Sequence, residues 1–147
     1  MRRYSASGNT PAGTNLTILQ VQGVATTRGR IYDIIIGSDQ APADIATKFR
    51  LIRGTVLGTG TPFTPTALDP GDPAALLSAQ QGTFTTQTKT ANSQMLEVAL
   101  NQRATFRWVA VPDSEIVVPA NATNFVAVES VSSGGTPTIS ATVLWQE

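Results

Sequence analysis

The chain has 147 residues, which fits one domain able to bury roughly 70% of its unfolded surface. Ten acidic and ten basic residues cancel, and there is neither cysteine nor histidine. This composition excludes a disulfide framework, a thiolate metal site and a Ser-His-Asp triad, so we expect no enzyme. No apolar run approaches the ~20 residues of a membrane span, and we expect no signal peptide. A neutral, threonine-rich surface is more typical of an assembly component than of a free monomer.

Residues 1–14 are predicted to form an N-terminal arm, separate from a folded domain over residues 15–147. The segment from Met1 to Gly13 is rich in small polar residues, which is typical of a disordered tail unless a neighbouring subunit holds it. Arg2 and Arg3 offer charge-assisted hydrogen bonds to carboxylates, and Tyr4 offers a flat anchor with few rotamers. These three are the predicted partner-binding residues.

Short β-forming segments separated by Gly, Pro and Asn follow the arm. Apolar patterning predicts strands over residues 15–24, 30–36, 46–55, 82–90, 115–118, 125–131 and 139–146. Strict alternation in the last of these predicts that Trp145 is buried. The Ser-Ser-Gly-Gly-Thr-Pro sequence over residues 132–137 predicts a hairpin turn before it.

The segment from Met95 to Pro112 has the clearest alternation, and it predicts two strands joined at a tight turn over residues 101–103. Alternating residues of these and other strands are predicted to be mostly buried between two sheets: Phe49, Leu51, Leu96, Val98, Leu100, Phe106, Trp108, Val143 and Trp145. Truncation of a buried Trp108 to alanine would cost about 3–5 kcal/mol.

One short helix is predicted over residues 73–81. Asp72 fits the N-cap, Pro73 the first helical position and Gly82 the left-handed stop. Asp69 and Asp72 lack the other oxygen ligands of a calcium loop, so we interpret them as capping residues. No metal or cofactor is expected.

Isolated charged residues on the strands are interpreted as structural. Asp33 is expected to pair with Arg28 or Arg30 or to face outward, since a single carboxylate has no partner acid or base. A basic cluster, Lys48, Arg50 and Arg53, is expected to meet acidic neighbours rather than nucleic acid. The residues therefore predict an all-β protein, an antiparallel β-sandwich of the jelly-roll kind with one short helix.

Four segments of the chain together resemble small virion proteins of tailed bacteriophages, namely capsid decoration (cement) proteins. The segments cover residues 63–74 (FTPTALDPGDPA), 98–109 (VALNQRATFRWV), 115–120 (EIVVPA) and 140–147 (SATVLWQE). The resemblance spans about residues 15–147. It implies a jelly-roll-like homotrimer on the outer capsid surface of a virion, where it bridges neighbouring major capsid proteins. Neither nucleic acid nor a membrane is an expected partner.

An alternative interpretation is a carbohydrate-binding or host-attachment module on a phage fibre or tail. Sandwich modules bind sugars through exposed aromatic rings, and Tyr4, Tyr32 and Trp108 are the candidates. Exposure separates the two interpretations, because an aromatic pair open to solvent near Asn or Asp side chains favours sugar binding.

Overall fold

A computed structural model describes all residues from Met1 to Glu147 and contains twelve strands and no helix. The strands are β1 (Arg3–Pro11), β2 (Leu16–Gln22), β3 (Gly29–Gln40), β4 (Ala46–Val56), β5 (Thr59–Phe63), β6 (Thr66–Ala67), β7 (Ser78–Thr85), β8 (Thr88–Asn101), β9 (Phe106–Val109), β10 (Ile116–Val118), β11 (Phe125–Ser133) and β12 (Thr138–Gln146). No element is a helix of the length and apolarity needed to cross a membrane.

The strands form two sheets in which every pairing is antiparallel. The first sheet has the order β10-β3-β12-β1-β6, with β9 pairing to β3 on the same side as β10. The second sheet has the order β5-β7-β2-β11-β4-β8. A core of 20 buried apolar residues lies between them. The prediction of an all-β antiparallel sandwich is confirmed.

Strand β12 lies at the centre of the first sheet, between β1 and β3. Its alternating residues Ile139, Ala141, Val143 and Trp145 all point into the core and are buried. The period of two therefore predicts this strand correctly, because both neighbours complete the sheet around it.

Residues 1–14 are not an arm outside the sandwich, and this prediction is corrected. Strand β1 pairs with β12 along its whole length, with Tyr4 opposite Trp145. Its small residues permit close packing of the sheets: a Cβ added at Gly8 would lie 2.9 Å from the carbonyl oxygen of Ile18. A small-residue composition thus reflects sheet contact here rather than disorder.

The predicted helix over residues 73–81 is also wrong, since β7 begins at Ser78. Leu77 is buried in the core, and Ala79 pairs with Val21 and with Phe63. A helix would give up this strand pairing, and its local propensity is too weak to compensate for that loss. Gly82 does adopt the left-handed conformation, with φ 88°, but within β7.

The turn over residues 132–137 is not a hairpin, because β11 and β12 belong to different sheets. The turn between β8 and β9 crosses between the sheets in the same way. The buried Gln102 joins both turns: its Nε2 donates to Thr47 Oγ1 at 3.0 Å and to the carbonyl oxygen of Gly134 at 3.0 Å. The Gly-Gly signal therefore locates the turn without deciding which strands pair.

The outer face of the second sheet is partly covered by the connection between β7 and β8. Gln87 of this connection accepts a hydrogen bond from Thr17 at 2.6 Å and donates one to Gln20 at 2.6 Å. Ile52, Phe125 and Ala127 form a small second apolar cluster in this sheet. Side chains on both faces of the central strands are consequently buried.

Candidate interaction surfaces

The first candidate surface is the terminal patch, formed by Met1, Arg2, Arg3, Leu68 and Leu76. Three of its members are exposed apolar side chains, with 89% of Met1, 48% of Leu68 and 55% of Leu76 accessible. Met1, Arg3 and Leu68 line one shallow depression with Asp69 and Asp72. Exposed apolar side chains grouped among charges are typical of contact surfaces.

Strand pairing fixes the backbone of this patch. The amide of Arg2 donates to the carbonyl oxygen of Glu147 at 3.2 Å. In return, the amide of Glu147 donates to the carbonyl oxygen of Arg2 at 2.9 Å. The amide of Leu68 donates to the carbonyl oxygen of Arg3 at 2.9 Å. The two chain termini and the segment after β6 therefore form one surface.

Both arginines of the patch remain available to a partner. Arg2 Nε lies 4.0 Å from Asp72 Oδ1, and the guanidinium carbon of Arg3 lies 5.7 Å from the ring centre of Tyr32. Neither guanidinium reaches hydrogen-bonding distance of a protein acceptor. Their N–H groups can bind an external carboxylate or phosphate group.

Tyr4 is a core residue and not a surface anchor, so its predicted role in binding a partner is corrected. Its side chain is fully buried, with the ring centre 6.2 Å from that of Trp145. The hydroxyl donates to the carbonyl oxygen of Pro73 at 3.0 Å. Burial, followed by the nearby Glu147 carboxylate, raises the pKa of Tyr4. Arg3, the neighbour of Tyr4 in β1, is exposed, and Arg2 is exposed as well but lies before the strand begins.

The Glu147 carboxylate holds the segment that carries Leu76. Oε1 accepts the amide of Leu77 at 2.9 Å and Nε1 of Trp145 at 3.1 Å, while Oε2 accepts the amide of Leu76 at 2.9 Å. Sequence reasoning missed this role, because no local pattern relates residue 147 to residues 76 and 77. The contact exists only once the last strand lies in the sheet.

The second candidate surface is the open margin, the side of the sandwich where β8 and β9 are edge strands of the two sheets. Apolar side chains here pack against the core but are only partly buried: Met95, Leu96, Val98, Leu100, Phe106 and Trp108. A small apolar gap between the sheets is lined mainly by Ile36, Phe49, Leu51, Leu96 and Val98. The prediction that these residues are mostly buried between the sheets is therefore confirmed: Phe49, Leu51, Val143 and Trp145 are fully buried. The β8 and β9 residues pack against the core but keep a minor part of their surface exposed.

Asp33 pairs with Arg107 rather than with Arg28 or Arg30. Arg107 Nε lies 3.0 and 3.2 Å from the two carboxylate oxygens and one terminal nitrogen lies 2.5 Å from Oδ2, a bidentate arrangement. The hydrogen bond to Asp33 raises the pKa of Arg107. Arg30 instead lies 3.8 Å from Glu115. The partner follows from the pairing of β3 with β9, which sequence spacing does not show.

The basic cluster on β4 meets acidic neighbours, as predicted, at two of its three members. Lys48 Nζ lies 2.6 Å from Glu97, and Arg50 Nε lies 2.5 Å from the fully buried Glu129, which Lys89 also contacts. Arg53 donates to the carbonyl oxygen of Val117 at 2.9 Å. Carboxylates of the second sheet therefore neutralise Lys48 and Arg50.

The remaining sequence candidates have local roles. Asp69 Oδ1 accepts the amide of Gly71 at 2.9 Å and thus forms a turn. No three acidic side chains gather closely enough to hold a metal ion. The one pair of aromatic rings in contact is Tyr4 with Trp145, tilted by 35° and buried, while Tyr32 and Trp108 are partly exposed.

Comparison with known proteins adds no relative: no protein-family model, no curated protein and no solved structure matches this chain. Function must therefore be inferred from the two surfaces and from the resemblance of the four sequence segments.

Proposed function

We propose that this chain is a structural virion protein that decorates the outer surface of a phage capsid and stabilises it by bridging major capsid proteins. The observation that carries the proposal is the terminal patch. It presents two exposed guanidinium groups, which make no hydrogen bond within the chain, beside exposed apolar side chains on a backbone fixed by strand pairing. Such a surface binds a protein partner by combining apolar contact with charge-assisted hydrogen bonds.

The connectivity of the sandwich supports this proposal. Strands β1, β12, β3 and β9 are successive neighbours in one sheet, and β2, β11, β4 and β8 are successive neighbours in the other. This is the order of an eight-stranded jelly roll, with β5, β6, β7 and β10 added at its edges. We therefore infer a jelly roll, the architecture that the resemblance implies.

A decoration protein stabilises a shell by binding to assembled subunits rather than to separated ones, so its binding free energy opposes their separation. The resemblance also implies a homotrimer, in which three terminal patches would act together. Linked weak contacts then raise the overall affinity well above that of one patch. Bridging across a subunit boundary is what converts this affinity into mechanical support.

The test uses capsids of the phage that encodes this chain, assembled without it. Wild-type protein is expected to bind these capsids and to raise the temperature at which they rupture. The double variant Arg2→Ala/Arg3→Ala should bind more weakly while keeping its own unfolding temperature. A matched control, Arg28→Ala/Arg103→Ala, removes two exposed charges elsewhere and should bind as wild type does. The proposal fails if wild-type protein neither binds capsids nor occurs in purified virions.

Trp108 favours the carbohydrate-binding alternative only weakly, because its ring is partly exposed on the open margin but has no aromatic partner there. Binding to an array of bacterial surface glycans that is lost in Trp108→Ala, together with absence from the capsid shell, would support that alternative.

A further inference from the structure

Strand β8 has a long free edge. It is the longest strand, at 14 residues, and β4 is its only neighbour. One row of its backbone N–H and C=O groups therefore has no partner strand. Free edges of this kind are templates for pairing with another chain, and proteins usually protect them with prolines, lysines, bulges or short strands.

The protective features of β8 are confined to its first half. Lys89 lies there, Asn92 has a positive φ of 56°, and the pairing with β4 shifts register repeatedly. The second half, residues 96–101, pairs regularly with β4 and contains neither proline nor lysine. Its single charged residue, Glu97, is already paired with Lys48. This half is thus regularly paired on one side and unprotected on the other.

The same half of β8 borders the open margin. Leu96, Val98 and Leu100 point between the sheets but stay partly exposed, as do Phe106 and Trp108 of β9. A partner strand added to β8 would cover the first three side chains and bring its own apolar residues against the other two. A single partner strand would therefore both pair with the free backbone groups of β8 and cover the exposed apolar side chains of β8 and β9.

We propose that this occupant is a second copy of the chain, whose β8 pairs antiparallel with β8 of the first about a two-fold axis at Val98. In this register Leu96 lies opposite Leu100 of the other copy, and Glu97 lies opposite Ala99. No like charges face each other, and the zero net charge gives no overall repulsion between copies. The strand is complementary to itself, as a two-fold interface requires.

The pairing joins the two second sheets into one continuous sheet, and β9 of each copy flanks the joint. It depends on no capsid contact, so it holds or fails independently of capsid binding through the terminal patch. A two-fold pair also differs from the trimer implied by the resemblance, and the molecular mass distinguishes them.

Ala99 gives a sharp test, because it is exposed on the outer face and lies opposite Lys48 within its own chain. Ala99→Glu places two carboxylates beside the opposing Glu97 residues across the axis, while Lys48 accommodates the new charge within each fold. Ala99→Lys makes the same two contacts attractive, and the like charge that it sets opposite Lys48 acts within each chain rather than between copies. Two cross-strand pairs should change the dissociation constant of the dimer by roughly tenfold, upward for the Glu variant and downward for the Lys variant.

Sedimentation of the full chain over a range of concentrations measures these constants. Ala25→Glu, in the turn before β3, adds the same charge away from β8 and should leave the constant unchanged. Amides of residues 96–101 should exchange more slowly with solvent at high concentration than after dilution. A wild-type chain that stays monomeric into the millimolar range, a trimer, or a dimer that responds equally to Ala99→Glu and Ala25→Glu would overturn the proposal.

Discussion

The two tryptophans of this protein lie on equally regular strands but in opposite surroundings. Trp145 is fully buried, contacts Tyr4 and donates its indole N–H to Glu147. Trp108 packs against the same core yet remains partly exposed, with no hydrogen bond to the protein. Because β12 has a neighbour on each side and β9 lies at an edge, position in the sheet decides burial where the alternation does not.

The surroundings of each tryptophan differ in the same way. Around Trp145 both chain termini and the segment before β7 are joined by hydrogen bonds. Around Trp108 the two sheets end at β8 and β9, and a small apolar gap lies between them. We call the surroundings of Trp145 the closed side. We expect the closed side to contribute most to the stability of the monomer and the open margin to contribute to assembly.

The largest effect is expected at the closed side. Trp145→Ala removes a fully buried ring, its contact with Tyr4 and its hydrogen bond, and should cost about 3–5 kcal/mol of unfolding free energy. Chemical denaturation followed by circular dichroism measures the loss. If Trp145→Ala lost less unfolding free energy than Trp108→Ala, the comparison between the two tryptophans would be wrong.

A smaller loss is expected from Glu147→Gln. The amide retains one acceptor oxygen but cannot serve all three donors that the carboxylate now binds. Lost hydrogen bonds to a charged group should cost about 2 kcal/mol. Denaturant unfolding gives this value, and Asp39→Asn, an exposed change in β3, serves as the charge-matched control.

Trp108→Ala is expected to cost about 1–2 kcal/mol, since only part of the ring leaves the core. This value is lower than the roughly 3–5 kcal/mol expected for a completely buried Trp108. The same denaturation experiment should be run at low concentration, where any self-association through the open margin is minimal. A cost equal to that of Trp145→Ala would mean that the margin is closed in solution.

The smallest effect concerns pH. Burial raises the pKa of Tyr4 above its ordinary value of 10.0, so the neutral phenol is favoured in the folded state. Its contribution is fully present below pH 10.0 and is lost as the pH rises through the folded-state pKa. Tyr4→Phe should cost about 1 kcal/mol at neutral pH and should weaken the alkaline loss of stability. Unfolding curves at neutral and alkaline pH test this, with Tyr32→Phe as the comparison because its pKa is also raised.

Particular elements show how far the sequence alone predicts this fold. The alternation of Ile139, Ala141, Val143 and Trp145 predicts a half-buried strand and its inward face, both of which the structure confirms. Of the predicted site residues, Arg2 and Arg3 are exposed and share the terminal patch, whereas Tyr4 is in the core. The capping signals at Asp72 and Gly82 predict a helix that the pairing of β7 with β2 overrides.

The sequence by itself determined the all-β class and the positions of seven strands, β2 to β4 and β9 to β12, because these depend on alternation and on residues that favour turns within a few positions. Only the tertiary structure decided that β1 completes the first sheet, that residues 132–137 cross between sheets, and that Glu147 binds Leu76 and Leu77. These features join residues far apart in the chain. Their free energy comes from strand pairing and burial that no local pattern encodes. For the same reason the open margin, which depends on β8 and β9 being edge strands, could not be predicted from the sequence.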